Sequence, residues 1–257
     1  MIFGCADNLL LYPRREPVGT RGLTRLEVAA PGGGIVEVWT ARTAAADQPV
    51  EAYVLHFIGN ASRGEYEAQG LAEDWTGHSV EIWSVNYPGY GQSTGPARLR
   101  SISPAALAVY DELAKRAGST PIILSGRSLG TTAALYLAAH RPAAGIVLQN
   151  PPPLQRLILQ AHGWWNLWLI AGPVALEVPA DLNALRNAPN AKMPALFVLA
   201  EKDTVVPPRY QHMVVEAYSG PKKIVTVTGA DHNDDVSGQS LLEFRVGLRW
   251  LISQSSH

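Results

Sequence analysis

The sequence has almost no cysteine, no long apolar run and no excess of charge of either sign. The single cysteine, Cys5, cannot form a disulfide within the chain, which also excludes a thiolate metal cage and a dithiol redox pair. The 21 basic and 22 acidic residues form no block of one sign, so we expect no nucleic-acid partner. The pattern fits a small-molecule substrate that is neutral or mildly charged.

No stretch of about 18 apolar residues is present, so we expect no integral membrane span. The chain begins without a basic region and a full apolar region, so as it stands the sequence predicts a cytoplasmic protein. An alternative is open at the same place. An apolar pair, a glycine and then Cys5 resemble the end of a bacterial lipoprotein cleavage site, which predicts a lipid anchor on Cys5 if a signal segment precedes it.

Apolar residues make up 47% of the chain and charged residues 17%, which is enough for a sheet covered by helices. We predict a single α/β domain over residues 1–257. Two short alternating runs at 24–30 and 34–40 are separated by a proline and two glycines, which is typical of an antiparallel hairpin.

Buried apolar runs then alternate with amphipathic segments, which predicts a mostly parallel sheet with helices on both faces. The predicted strands are 52–58, 80–85, 121–124, 145–148, 195–199 and 224–227. The predicted helices are 65–74, 104–116, 129–140 and 241–252.

The alternation lapses in the segment 151–180, which contains Trp164, Trp165 and Trp168. We interpret this segment as a short cap insertion over the carboxyl edge of the sheet. An ordinary surface helix with aromatic packing is the alternative, because aromatic side chains usually serve the core.

The sharpest local motif is Gly126-Arg127-Ser128-Leu129-Gly130, which lies between a predicted strand and a predicted helix. A serine on such a tight turn is lifted above the sheet edge, and glycines two residues to either side leave room for the turn. Ser128 is therefore the candidate nucleophile. Serine is also a common helix N-cap, and that simpler role stays open.

A serine hydroxyl needs a base, and seven histidines are available. His232 differs from the others because it lies in a loop at the carboxyl end of the last predicted strand, where sites in α/β sheets form. By the same rule the acid follows an earlier strand, which favours Asp203. The rival acids are Glu201, Asp231, Asp234 and Asp235.

These acids have two other interpretations. Asp203 could simply shape a turn before Val205, since a short polar side chain there bonds the backbone. The cluster at 231–234 could bind a hard cation, but a metal site needs further converging ligands, so we expect no metal.

Five segments together resemble the α/β-hydrolase superfamily, in particular its short-cap, serine aminopeptidase-like branch of esterases, thioesterases and lysophospholipase-like enzymes. The matching segments are 8–13, 86–93, 126–130, 200–207 and 229–233. The resemblance implies an oxyanion hole made by the backbone N–H groups of Asn60 and Leu129. Ile58 stands where the family usually has histidine, which leaves the shaping of that loop open.

The resemblance implies a serine hydrolase that cleaves ester or thioester bonds through an acyl-enzyme, with Ser128, His232 and Asp203 as its triad and no cofactor. Serine at position 128 excludes a dehalogenase with a carboxylate nucleophile. A serine peptidase or acyltransferase of the same fold and a non-catalytic small-ligand binder are the alternatives. The short insertion predicts small, soluble acyl esters, and nothing in the sequence indicates the oligomeric state.

Overall fold

The computed structural model describes residues 5–43, 48–162 and 168–254. These residues form one sheet of eight strands in the order β1-β2-β4-β3-β5-β6-β7-β8. Strand β2 pairs antiparallel with β1 and β4, and all later pairings are parallel. The strands are β1 Thr24–Ala29, β2 Ile35–Arg42, β3 Ala52–Phe57, β4 Val80–Val85, β5 Ile122–Arg127, β6 Gly145–Gln149, β7 Ala195–Ala200 and β8 Lys222–Val227.

Helices occupy most of the connections between these strands. They are α1 Cys5–Leu10, α2 Gly64–Asp74, α3 Leu99–Ala117, α4 Gly130–His140, α5 Leu154–His162, α6 Trp168–Glu177, α7 Ala184–Asn187, α8 Pro208–Ala217 and α9 Gly238–Gln254. None of the helices in the described ranges has the length and apolar character that crossing a bilayer requires.

The sheet has a hydrophobic core on each face, because successive strand residues point in opposite directions. Val54 packs into the cluster that includes residues of α2 and α9. Its neighbour Leu55 packs into the larger cluster formed with α3, α4 and α8. The predicted fold class is confirmed: a mostly parallel sheet with an N-terminal antiparallel hairpin and helices on both faces.

One helix begins earlier than its sequence predicts. Pro104 suggested a start at that residue, yet α3 begins at Leu99 and carries the proline inside. Leu99 and Ile102 are both buried, and the N–H of Leu99 donates to Asp7 Oδ1 at 2.8 Å. The burial and this cap offset the single helical hydrogen bond that a proline removes.

The predictions for the cap tryptophans and for a lipid anchor on Cys5 concern residues or side chains that the structure does not describe. Trp164 and Trp165 lie outside the described residues, and the side chains of Trp168 and Cys5 are likewise not described.

The parallel strands β3, β5, β6, β7 and β8 end at the same edge of the sheet, so the loops that follow them lie together.

Candidate active site

Ser128 lies on a strained turn between β5 and α4. Its backbone φ is +49°, a left-handed value that is costly for any residue with a side chain. The Ser128 N–H donates to the carbonyl of Gln149 at 2.8 Å, which ties the turn to β6. Strain of this kind is found where function requires one particular side-chain direction.

The two glycines of the motif are required by the close packing around this turn. A Cβ on Gly130 would lie 1.9 Å from the carbonyl oxygen of Phe57, and a Cβ on Gly126 would lie 2.6 Å from the backbone of Gly130. Because neither distance is physically possible, the turn keeps its shape only with glycine at both positions.

The acid loop after β7 surrounds Asp203 with neutral hydrogen-bond donors. Asp203 Oδ1 accepts from the N–H groups of Val205 at 2.9 Å and Val206 at 2.6 Å. Asp203 Oδ2 accepts from Gln211 Nε2 at 2.9 Å. The residue is only 3% exposed, and these three donors hold its carboxylate in one orientation without cancelling its charge.

The loop after β8 brings His232 to the same place. His232 Nδ1 lies 2.7 Å from Asp203 Oδ2, and His232 Nε2 lies 2.9 Å from Ser128 Oγ. The structure thus joins all three residues predicted from the sequence into one hydrogen-bonded chain. This arrangement suits a hydroxyl that is to lose its proton to an imidazole held by a carboxylate.

Two of the rival acids, Glu201 and Asp231, accept from backbone N–H groups. Glu201 Oε2 accepts from the N–H of Gly229 at 2.7 Å, away from the imidazole. Asp231 Oδ1 accepts from the N–H of Thr204 at 2.7 Å and from the N–H of His232 at 2.7 Å, so it links the acid loop to the histidine loop. These backbone bonds lower the pKa of Asp231. Across the described residues, His, Cys, Asp and Glu form no group of three suited to a metal ion.

Asn150 supports the histidine loop through hydrogen bonds, and the sequence analysis did not predict this role. It follows β6 with a left-handed φ of +50° and is 2% exposed. Its Nδ2 donates to the carbonyl of His232 at 3.1 Å, and its Oδ1 accepts from the N–H of Ala200 at 2.9 Å. Asparagine tolerates left-handed backbone, and that was the only local signal.

The loop after β3 carries Asn60, whose side chain is tied to its surroundings on every side. Its Oδ1 accepts from the N–H of Tyr12 at 3.0 Å, the N–H of Ala61 at 3.0 Å and the hydroxyl of Tyr90 at 2.8 Å. Its Nδ2 donates to the carbonyl of Leu10 at 2.7 Å. The side chain therefore shapes the loop, with its oxygen and its nitrogen both engaged.

A buried charged residue, Glu67 of α2, contacts the same loop. Its Oε1 accepts from the N–H of Gly59 at 3.0 Å, and its Oε2 lies 2.5 Å from His56 Nε2. Burial alone would raise the pKa of Glu67, but the hydrogen bond and attraction from His56, together with the Ser62 hydroxyl and the Arg127 guanidinium, outweigh it and lower that pKa. The one weak signal in the sequence is His56 itself, an imidazole within the buried run of β3.

A cavity of about 550 Å³ opens directly over Ser128 and His232. Its apolar wall comes from both sides of the site, and Asn60, Glu67 and Arg127 provide polar groups. The apolar lining residues include Leu10, Leu129, Leu154, Leu157, Val205 and Val206. A concave apolar site with a few converging polar groups is typical of a small-molecule site.

The known proteins similar to this chain include two sequence relatives and one solved structure described below, and no family model matches it. The uncharacterized protein Rv2307c of Mycobacterium tuberculosis is 28% identical over 197 residues, which cover 76% of this chain and 66% of that protein. Lysophosphatidylserine lipase ABHD12 of Rattus norvegicus is 25% identical over 185 residues, covering 66% of this chain and 46% of that protein. The crystal structure of an alpha-beta hydrolase from Vibrio vulnificus superposes with a TM-score of 0.68 at 18% identity, covering 91% of this chain and 81% of that one.

The chain spans about half to two thirds of the length of these two sequence relatives.

Proposed function

We propose that this protein, which has the α/β-hydrolase fold, is a serine hydrolase that cleaves carboxylic ester or thioester bonds of small acyl substrates. The observation that carries the proposal is the hydrogen-bonded chain from Ser128 Oγ through His232 to Asp203, at the base of an apolar cavity. The lipase among the sequence relatives supports ester hydrolysis as the reaction class.

In the proposed first step Ser128 Oγ attacks the carbonyl carbon of the substrate, and His232 Nε2 takes the hydroxyl proton. Asp203 stabilises the imidazolium that forms. The same proton is then given to the departing alcohol or thiol, which leaves an acyl group on Ser128. A water molecule attacks this acyl-enzyme with His232 as general base, and the acid product leaves with Ser128 regenerated.

Two backbone N–H groups are the proposed oxyanion donors, those of Asn60 and Leu129. Leu129 lies at the N-terminal end of α4, where the first N–H groups of a helix have no partner in the helix. Gly59, the residue before Asn60, is not available for this role because its N–H already donates to Glu67. Donors aimed at the developing oxyanion supply a large part of the rate enhancement in such sites.

The proposed cap at residues 151–180 includes the first helix after β6, and that helix bounds the cavity. Leu154 and Leu157 of α5 line it together with Val206 of the acid loop. We expect these apolar side chains to favour short acyl groups over long ones. A series of p-nitrophenyl esters from acetyl to palmitoyl measures this directly, and kcat/KM that rises steadily to palmitoyl would contradict the preference.

Fluorophosphonate labelling followed by intact-mass measurement tests the reaction class. We expect one adduct on the wild type, none on Ser128→Ala, and an unchanged adduct on Ser119→Ala, a control serine that is exposed in the turn after α3. A wild type without an adduct would indicate a non-catalytic binder. A panel of esters, thioesters, aminoacyl amides and acyl acceptors then separates an esterase from a peptidase or an acyltransferase.

A further inference from the structure

A chain of buried polar groups contacts the loop after β3 that carries Gly59 and Asn60, which we call the oxyanion loop. It begins at Ser125 Oγ, which lies 2.9 Å from His56 Nδ1. It continues from His56 Nε2 to Glu67 Oε2 at 2.5 Å, and from Glu67 Oε1 to the N–H of Gly59 at 3.0 Å. The side chains of His56 and Glu67 are only 4% and 8% exposed.

The sheet register places this chain next to the nucleophile. Ser125 and His56 are paired residues of β5 and β3, and β5 leads directly into the turn that carries Ser128. A Cβ on Gly59 would lie 3.9 Å from the Cβ of Ser128. The residue that Glu67 holds is therefore packed against the nucleophile and precedes Asn60 in the loop.

The charge on Glu67 needs an explanation, because an isolated buried carboxylate is strongly disfavoured. An apolar pair of similar size would satisfy packing as well as this buried polar pair does. Glu67 instead uses one oxygen for His56 and the other for a loop N–H. Ile58 is fully buried and has no polar group to shape the loop. It stands where the α/β-hydrolase family usually has histidine.

We propose that Glu67 is a positioning residue for the oxyanion hole and that His56 orients its carboxylate. This inference rests on the proposed function. By holding the N–H of Gly59, Glu67 sets the direction of the next peptide, whose N–H belongs to Asn60 and points to the site. Glu67 acts through the loop and does not touch the substrate carbonyl.

The test compares three variants with p-nitrophenyl butyrate as substrate and butylboronic acid as a tetrahedral analogue. Glu67→Leu removes the acceptor for Gly59, and we expect kcat to fall about 30-fold to 100-fold with KM changed less than about threefold. The Ki of butylboronic acid should rise by a similar factor, because the analogue depends on the same donors. Glu67→Gln retains an oxygen acceptor, so it should keep kcat within about tenfold of wild type.

The double variant His56→Phe/Glu67→Leu distinguishes a loss of positioning from a loss of folding. Replacing both members of a buried pair by apolar side chains is often neutral or stabilising, so this variant should fold at least as well as Glu67→Leu. We expect it to show the same loss of kcat despite its stability. Glu73→Gln, an exposed position on the same helix, serves as the control and should behave as wild type.

Two outcomes would overturn the inference. Glu67 does not position the oxyanion loop if the folded double variant and Glu67→Leu both keep wild-type kcat, whether or not their KM rises. If the wild type neither hydrolyses esters nor accepts a fluorophosphonate, the proposed function fails and the inference fails with it. The first outcome leaves the proposed function intact, so the two failures are distinguishable.

Discussion

The two sides of the candidate site hold their buried carboxylates in different ways. On the acid side, Asp203 is surrounded by the neutral donors of Val205, Val206 and Gln211, and in the described part of the chain its one ionisable partner is His232. On the oxyanion side, Glu67 is paired with His56. Asp203 thus has three neutral donors beside its imidazole to fix its orientation, whereas Glu67 uses one oxygen for its imidazole and the other for the loop N–H of Gly59.

The largest expected effect comes from removing the charge on the acid side. Asp203→Asn should lower kcat about 10⁴-fold, because an amide neither sets the tautomer of His232 nor stabilises its cation. Steady-state ester hydrolysis measures this loss. Glu201→Gln is the matched control and should retain wild-type kcat, since the Glu201 side chain accepts from the N–H of Gly229 and a glutamine oxygen can still do so. If both variants lost the same factor in kcat, the assignment of Asp203 as the acid would be wrong.

The support under the histidine loop should matter next. Asn150→Asp keeps the shape and the left-handed backbone but places a carboxylate oxygen against the carbonyl of His232. We expect kcat to fall about tenfold to 100-fold with little change in KM, as a displaced base reduces turnover more than binding. Asn190→Asp replaces an exposed asparagine that also donates to a backbone carbonyl, and it should have no effect.

A stability measurement sharpens the contrast within α2, because burial outweighs the attraction of Arg245 and His56 for Asp74 at its C-terminal end. Burial is the main cause that raises the pKa of Asp74 from 3.8 to about 6. The folded state therefore binds the proton more tightly than the unfolded chain, and stability falls as pH rises from about 4 to 6. Above pH 6 this loss persists.

Asp74→Asn should then raise the free energy of unfolding at pH 8 by about 2 kcal/mol, from a shift of about two pKa units partly offset by relaxation. Urea denaturation at pH 4 and pH 8 checks it, with the difference from wild type vanishing at the lower pH. A stabilisation of equal size at both pH values would show that the charge is not the cause.

The smallest effect is expected from one of the neutral donors to Asp203. Gln211→Met removes the side-chain donor and leaves the two backbone N–H groups in place. We expect kcat to fall about tenfold or less, in line with the value of a single neutral hydrogen bond. The same assay measures it, and a loss close to that of Asp203→Asn would mean that Gln211 alone orients the carboxylate.

Most of the fold was predictable because it depends on local patterns. The buried runs of β3 and β7 and the glycines around Ser128 each carry their own signal within a few residues. The start of α3 was not predictable, because Pro104 is a local signal whereas the burial of Leu99 depends on the assembled core.

The candidate site divides in the same way. Ser128, Asp203 and His232 follow strand ends, so their positions could be predicted from the order of elements. Glu67 could not, since a glutamate in the first turn of a helix is ordinarily a solvent-exposed partner of the helix dipole. Its burial against His56 follows from how α2 packs on the sheet, and no spacing along the chain expresses that packing.

The close approach of α4 to β3 at Gly130 determines where this protein can be redesigned. Position 130 has no room for even one methyl group, and position 126 is equally confined. A mutant library that varies both would consist mainly of misfolded members. Randomising the α5 positions 154 and 157 explores the cavity wall without disturbing the turn, so new substrate preferences should be sought there.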